Sequence, residues 1–245
     1  MLHLCIQAEN KKLHRSVIWI ACFLIPVIPA IMGTFNYLQC LDILTEQWYS
    51  LWTQFTLFYS LFFYAPLIAL YCSYLWRLEH LDHNWNVLMT LPVPIKDLFF
   101  GKLFVIFKVT LITQLWMIVL FLLSGKLAGL PGIPPFLIFV WAFRGTFAAI
   151  AIGALQLLLS MCIRSFAVPI GIALAGSVFG MLFSNSGKGM FWPYSLMMMG
   201  MNSNSSDDKL SGFTNTFVFF IAVAVFFLLF TCLAVRILKK ADVKS

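Results

Sequence analysis

Four titratable side chains, Glu79, His80, Asp82 and His83, fall within five residues of one another. Carboxylates and imidazoles at that density suit two kinds of chemistry. One is metal ligation, with His80 and His83 sharing a helix face with Glu79. The other is recognition, in which the polar residues rim an apolar anchor. The residues that follow fit the second use well. His83-Asn84-Trp85-Asn86-Val87-Leu88-Met89 can form a short helix whose apolar face is Trp85, Leu88 and Met89. Leu91-Pro92-Val93-Pro94 then stops it, because proline lacks the N–H and disfavours helix at the residue before it. A docking helix, a solvated polar turn and a metal site are the three readings of this segment.

A second residue with chemical potential is Arg144, set about ten residues into an apolar run. An arginine at that depth is costly unless it faces protein or water, so it reads either as functional or as a structural bond to backbone carbonyls, with snorkelling as the variant. No enzyme motif accompanies it. The nearest string to a phosphate-binding loop, Ser186-Gly187-Lys188-Gly189, has Leu182 where the first glycine is needed and lacks Ser or Thr after the lysine. HExxH, GxSxG and paired intramembrane carboxylates are absent. The expectation is a chain with no catalytic residues, no metal and no bound cofactor of its own.

The elements that position these residues follow from solvent. The chain has 245 residues, 62% hydrophobic and 10% charged, against about a quarter charged in a soluble domain. The excess apolar surface calls for lipid. Six runs, near 17–38, 52–76, 99–123, 135–162, 166–184 and 213–236, reach the roughly 20 residues a bilayer crossing needs. The first is too long for a signal sequence and is read as an uncleaved span. The fold class is therefore all-α membrane protein, a single transmembrane domain over 1–245 with six spans. Lys and Arg set its orientation. With the N-terminus inside, the inner segments hold eleven, among them Lys11, Lys12, Arg77, Lys102 and Arg164. The outer loops hold only Lys126, Lys188 and Lys209. The bias places both termini, and the Glu79–Pro92 segment, in the cytoplasm. A net charge of +7 spread in this way does not read as nucleic-acid binding.

Three further features belong to the membrane reading. Residues 1–16 place Leu2, Cys5, Ile6 and Leu13 near one helical face, which suits an amphipathic helix in the inner interface; a loose basic tail is the alternative. Gly145, Ala149 and Gly153 on the fourth span, with Gly176 and Gly180 on the fifth, form small-residue stripes that let helices pack closely, within the chain or between subunits. The outer segment around Trp192-Pro193-Tyr194-Ser195-Leu196 is too apolar to float in water and is expected to dip back into the outer leaflet. Pro26, Pro29 and Pro66 are expected to kink their spans. The six cysteines contain no CxxC pair and read as packing residues.

Three stretches resemble permeases of the type-2 ABC exporter superfamily, and more narrowly the lantibiotic-protection permeases of the MutE/EpiE kind. They are Gln7-Ala8-Glu9-Asn10-Lys11-Lys12 before the first span, the loop from Glu79 through Trp85 and Leu91-Pro92 to Lys102, and Pro193-Tyr194-Ser195-Leu196 before the last span. The resemblance implies a separate ATPase subunit, in two copies, carrying ATP and magnesium. It implies a second permease, identical or related, and a coupling helix formed by Glu79, His83, Asn84, Trp85, Asn86, Leu88, Met89, Leu91 and Pro92. It implies expulsion of an amphipathic antimicrobial peptide from the cytoplasmic membrane of a bacterium. Another cargo, such as a bacitracin-like antibiotic or a lipid-linked compound, and a membrane peptide sensor are the alternatives.

Overall fold

A computed structural model of the chain describes residues 1–14, 16–81, 84–90, 92–205 and 207–240, with the backbone alone at 86–88. Among the described residues every regular element is helical. The six apolar runs become six helical spans. Span one is α2 (Ile18–Leu24) and α3 (Val27–Gln39); span two is α4 (Trp48–Phe58), a π turn (Tyr59–Phe63) and α5 (Tyr64–His80). After the short α6 (Asn84–Thr90), spans three to five are α7 (Ile95–Leu127), α8 (Phe136–Cys162) and α9 (Ala167–Asn185). A small α10 (Ser195–Gly200) precedes span six, α11 (Phe213–Lys239). The chain is a multi-pass membrane protein.

The breaks have local causes. Span one breaks at Pro26, which caps α3. In span two, Pro66 has no N–H for the carbonyl four residues back, and its ring crowds that carbonyl. The chain widens into the π turn just before it, where the Tyr64 N–H reaches back to the Tyr59 carbonyl.

Spans two and three each run for 33 residues, well beyond the 25 or so expected from the apolar runs. At 1.5 Å per residue they are about 50 Å long, more than the ~30 Å hydrocarbon layer, so their ends project. The projecting turns of α5 and α7 lie at the end of the bundle that carries Arg77, Lys102 and Arg164, here called the basic end.

Span two is the most enclosed, with 67% of its most apolar window buried, against 22% for α11. It packs on α8 and α9, and α8 in turn packs on α11, α7 and α10. Residues 2–13 form α1, which lies along the start of α7. The contact is close: a Cβ on Gly101 would come within 2.9 Å of the Cys5 Cβ. The Trp19 indole donates to the Leu13 carbonyl at 3.0 Å, fixing the turn from α1 into span one. The N-terminal segment is thus an ordered amphipathic helix rather than a loose tail.

Candidate functional site

At the basic end three helices bring four charges together. Glu79 stands in the last turn of α5, Lys102 in the second turn of α7, and Glu9 and Lys12 one turn apart on α1. The Lys102 Nζ donates to Glu79 Oε1 at 2.7 Å and to Glu9 Oε1 at 2.9 Å. The Lys12 Nζ donates to Glu9 Oε1 at 2.7 Å and also to Glu79 Oε1. Lys102 is fully buried and its ammonium lies 4.9 Å from the centre of a Trp76 ring. Two carboxylates and two ammoniums cancel, which is the condition for burying charge at tolerable cost. The second oxygen of Glu9, Oε2, is buried with no hydrogen-bond partner. For Lys12, desolvation alone would lower the pKa; the Glu9 and Glu79 carboxylates outweigh it and hold the ammonium above its ordinary value.

Beside this cluster α6 folds back onto α5. Trp85 stacks on the His80 ring, 5.6 Å between centres and 13° between planes, and leans on Trp76 at 5.9 Å. Only 9% of Trp85 is exposed. This corrects the expectation that Trp85 offers an outward apolar face: its ring is spent on holding α6 against its own bundle. The reading of the segment as a solvated turn fails for Glu79, which is 5% exposed. His80 also sets its Nε2 3.2 Å from the Ser160 carbonyl oxygen. Asn84 is exposed and donates to the Leu78 carbonyl at 3.0 Å. Met89 packs against the core from its edge, and Pro92 is exposed in the link to α7. Of the other expected coupling residues, His83 and Leu91 lie outside the described residues, as do the side chains of Asn86 and Leu88. Among the described residues no three His, Cys, Asp or Glu side chains gather as a metal site would require.

Between α1, the end of α5, α6 and the start of α7 lies a groove of about 670 Å³. Leu4, Ala8, Leu78, Met89 and Leu98 line it, and Glu9, Lys12 and Glu79 reach its wall. It is an apolar slot with the neutral charge cluster at one side, open at the basic end.

A family profile described as "ABC-2 family transporter protein" matches residues 5–180. The chain belongs to the ABC-2 transporter family. No curated protein and no solved structure matches it. The matched region holds most of α1, the charge cluster, α6 and most of the groove lining, and ends inside α9. A permease of this family is a transport subunit, worked by an ATPase partner, and a bacterial cytoplasmic membrane fits it.

The opposite end of the permease is built differently. Arg144 is not free in the bilayer: its Nη1 donates to both Asp208 carboxylate oxygens, at 2.9 and 3.0 Å, and its Nη2 to Thr216 Oγ1 at 3.1 Å. The partner is thus an acid in the loop before α11, where the structural alternative from sequence names backbone carbonyls or the outer interface. The Trp52 indole donates to the Met201 carbonyl at 2.7 Å, and Ser60 to Ser203 at 3.1 Å, so span two grips the same loop.

The segment of Trp192, Pro193, Tyr194, Ser195 and Leu196 turns back into the bundle. Pro193, Tyr194, Ser195 and Leu196 are buried. The Trp192 indole stacks on Phe183 and donates to the Gly176 carbonyl at 2.8 Å. The Gln156 amide donates to the Tyr194 hydroxyl at 2.6 Å. Gly176 and Gly180 on α9 receive this segment, and Gly145 on α8 receives Met201 just after it. A Cβ on Gly176 would meet the Tyr194 ring at 2.5 Å, on Gly180 the Ser195 nitrogen at 3.0 Å, and on Gly145 the Met201 side chain at 2.4 Å. Ala149 is buried, while Gly153 has only an ordinary 3.6 Å neighbour in Ile106. The described packing is within the chain.

Glu9, Lys12 and Lys102 were not singled out as site residues by sequence. A signal existed for one pair. Glu79 and Lys102 are opposite charges at the same end of two consecutive antiparallel spans, where each would be costly alone.

Proposed function

We propose that this chain is the permease of an ATP-driven exporter whose basic end faces the cytoplasm and receives the ATPase at α6 and the adjoining groove. The observation that carries this is the joining of α1, α5 and α7 by the Glu9–Lys12–Glu79–Lys102 cluster, buried but for Lys12 at its edge, directly beside the short α6. A push on α6 is delivered to Trp76 and His80 through the Trp85 stack, and so to α5, the most enclosed span. The same cluster carries it to α1 and α7. Cytoplasmic placement rests on the bias of Lys and Arg toward this end. ATP and magnesium belong on the partner, in two copies, and a second permease, identical or related, completes the transporter.

The cargo we infer is a lantibiotic or similar amphipathic peptide, removed from the membrane to protect the cell. The support is the likeness of Gln7–Lys12, Glu79–Lys102 and Pro193–Leu196 to the lantibiotic-protection permeases. The lipid-facing apolar surfaces of α3, α9 and α11 are compatible with a cargo that arrives through the bilayer.

Affinity purification in mild detergent tests the coupling part. An ATP-binding subunit should accompany the native permease, and Asn84→Arg, at an exposed position on α6, should remove at least about nine tenths of it. Full recovery of the ATPase with Asn84→Arg and with Met89→Glu would reject docking at α6. For the cargo, cells carrying the complete transporter should survive lantibiotic concentrations that kill cells lacking it. Protection against bacitracin alone would assign the other cargo.

A further inference from the structure

Span one and span two part at the basic end. They leave a cleft of about 330 Å³. Ile18 on α2, Leu70, Tyr74 and Leu81 on and after α5, and Phe166 between α8 and α9 form its wall, and Arg77 stands at its mouth. We propose that this cleft holds one acyl chain of an anionic phospholipid, with the lipid phosphate on Arg77.

Three observations carry the assignment. First, the wall is almost wholly apolar, which suits a hydrocarbon chain and offers nothing to a small hydrated ion. Second, the mouth is positive. The exposed Arg77 guanidinium lies 5.4 Å from the centre of the Phe166 ring. Among the described residues no carboxylate comes within ion-pair distance of it. That sets it apart from Lys12, Lys102 and Arg144, each of which has an acid. Arg164, also exposed, precedes Phe166 by two residues, and the 19-residue α9 starts at Ala167, so its positive pole faces the same mouth. Third, the depth is right. The cleft lies where two spans enter the bilayer, and the neighbouring Val17 and Ile20 are 70% and 63% exposed, which marks that face as lipid-covered. Basic pockets between spans are the places where anionic headgroups bind.

Arg77 stands two residues before Glu79 in the last turn of α5. A lipid on Arg77 and the charge cluster therefore share one helical turn, on different sides. The lipid reading stands apart from the transport reading, since a permease with any cargo can have it.

The test is native mass spectrometry of the purified permease, titrated with phosphatidylglycerol and, separately, phosphatidylethanolamine. One phosphatidylglycerol should be retained, at least about fivefold more tightly than phosphatidylethanolamine, and Arg77→Ala should remove that preference. Arg77→Lys should keep part of it. Leu70→Trp, which fills the cleft and leaves Arg77 in place, should weaken retention of both lipids. Unfolding temperatures measured alongside show that each variant is folded. Equal retention of the two lipids, or an unchanged preference in Arg77→Ala, would overturn the proposal. Competition by millimolar inorganic phosphate would assign the mouth to a free anion. Retention unaffected by Leu70→Trp would mean that the headgroup binds without a chain in the cleft.

Discussion

The two ends of the bundle both use buried ion pairs, yet to different effect. At the basic end four charges on three helices share two carboxylate oxygens, and a groove of about 670 Å³ lies alongside. At the opposite end one arginine holds one aspartate, and glycine seats on α8 and α9 leave no space between helix and loop. The contrast teaches where motion can enter. A neutral cluster beside open space joins elements that can move as a unit. A single pair over close-packed glycines pins a lid in one place.

Lys102→Met should give the largest effect. It leaves Glu9 and Glu79 buried with Lys12 alone to offset them, at a cost of about 3–5 kcal/mol. Thermal unfolding in detergent reads it, and adding Glu79→Gln should restore part of the loss. A change under about 1 kcal/mol would remove the cluster from its joining role. Arg144→Ala comes next, at about 2–3 kcal/mol, because Asp208 is left largely buried and unpaired. Its more specific sign is loosening of residues 202–212, read as faster proteolysis there with the basic end unaffected. Equal loosening of both ends would erase the distinction between them. Gly176→Val should cost about 1–3 kcal/mol through its clash with the Tyr194 ring, and Gly153→Ala, whose Cβ would make only an ordinary 3.6 Å contact with Ile106, close to nothing.

The smallest effect is in pH. The Lys12 pKa is held above 10.5, so its contribution is fully present below that value and lost only as pH rises through the folded value. Stability owed to Lys12 should therefore be flat from pH 6 to 9. A Lys12-dependent loss within that window, seen as the difference from Lys12→Met, would contradict the pairing.

Much of the architecture was legible from the chain. Six apolar runs gave six spans, because lipid sets both their length and their composition. The proline positions foretold the breaks in spans one and two. The ends were misjudged for one physical reason. Hydropathy stops at a charge, but a helix need not: α5 continues through the exposed Arg77 to Glu79, which Lys102 neutralises, and α7 begins at Ile95, ahead of Lys96 and Asp97, where the chain has left the hydrocarbon layer. The burial of the segment at 192–196 was readable from its apolar residues. The anchor of the loop after it was not, since Arg144 finds Asp208 across 64 residues of chain. Trp85 shows the same limit. An aromatic on a short amphipathic helix can face a partner or its own bundle, and only the neighbouring His80 and Trp76 decide which.

The central claim is that α6 meets a motor in the cytoplasm, and single-cysteine labelling tests it most directly. The six native cysteines would be replaced and Asn84→Cys introduced. A membrane-impermeant maleimide should label it in inside-out vesicles but not in intact cells, and co-assembled ATPase should block the label. Labelling from outside intact cells, or equal labelling with and without the ATPase, would contradict the account.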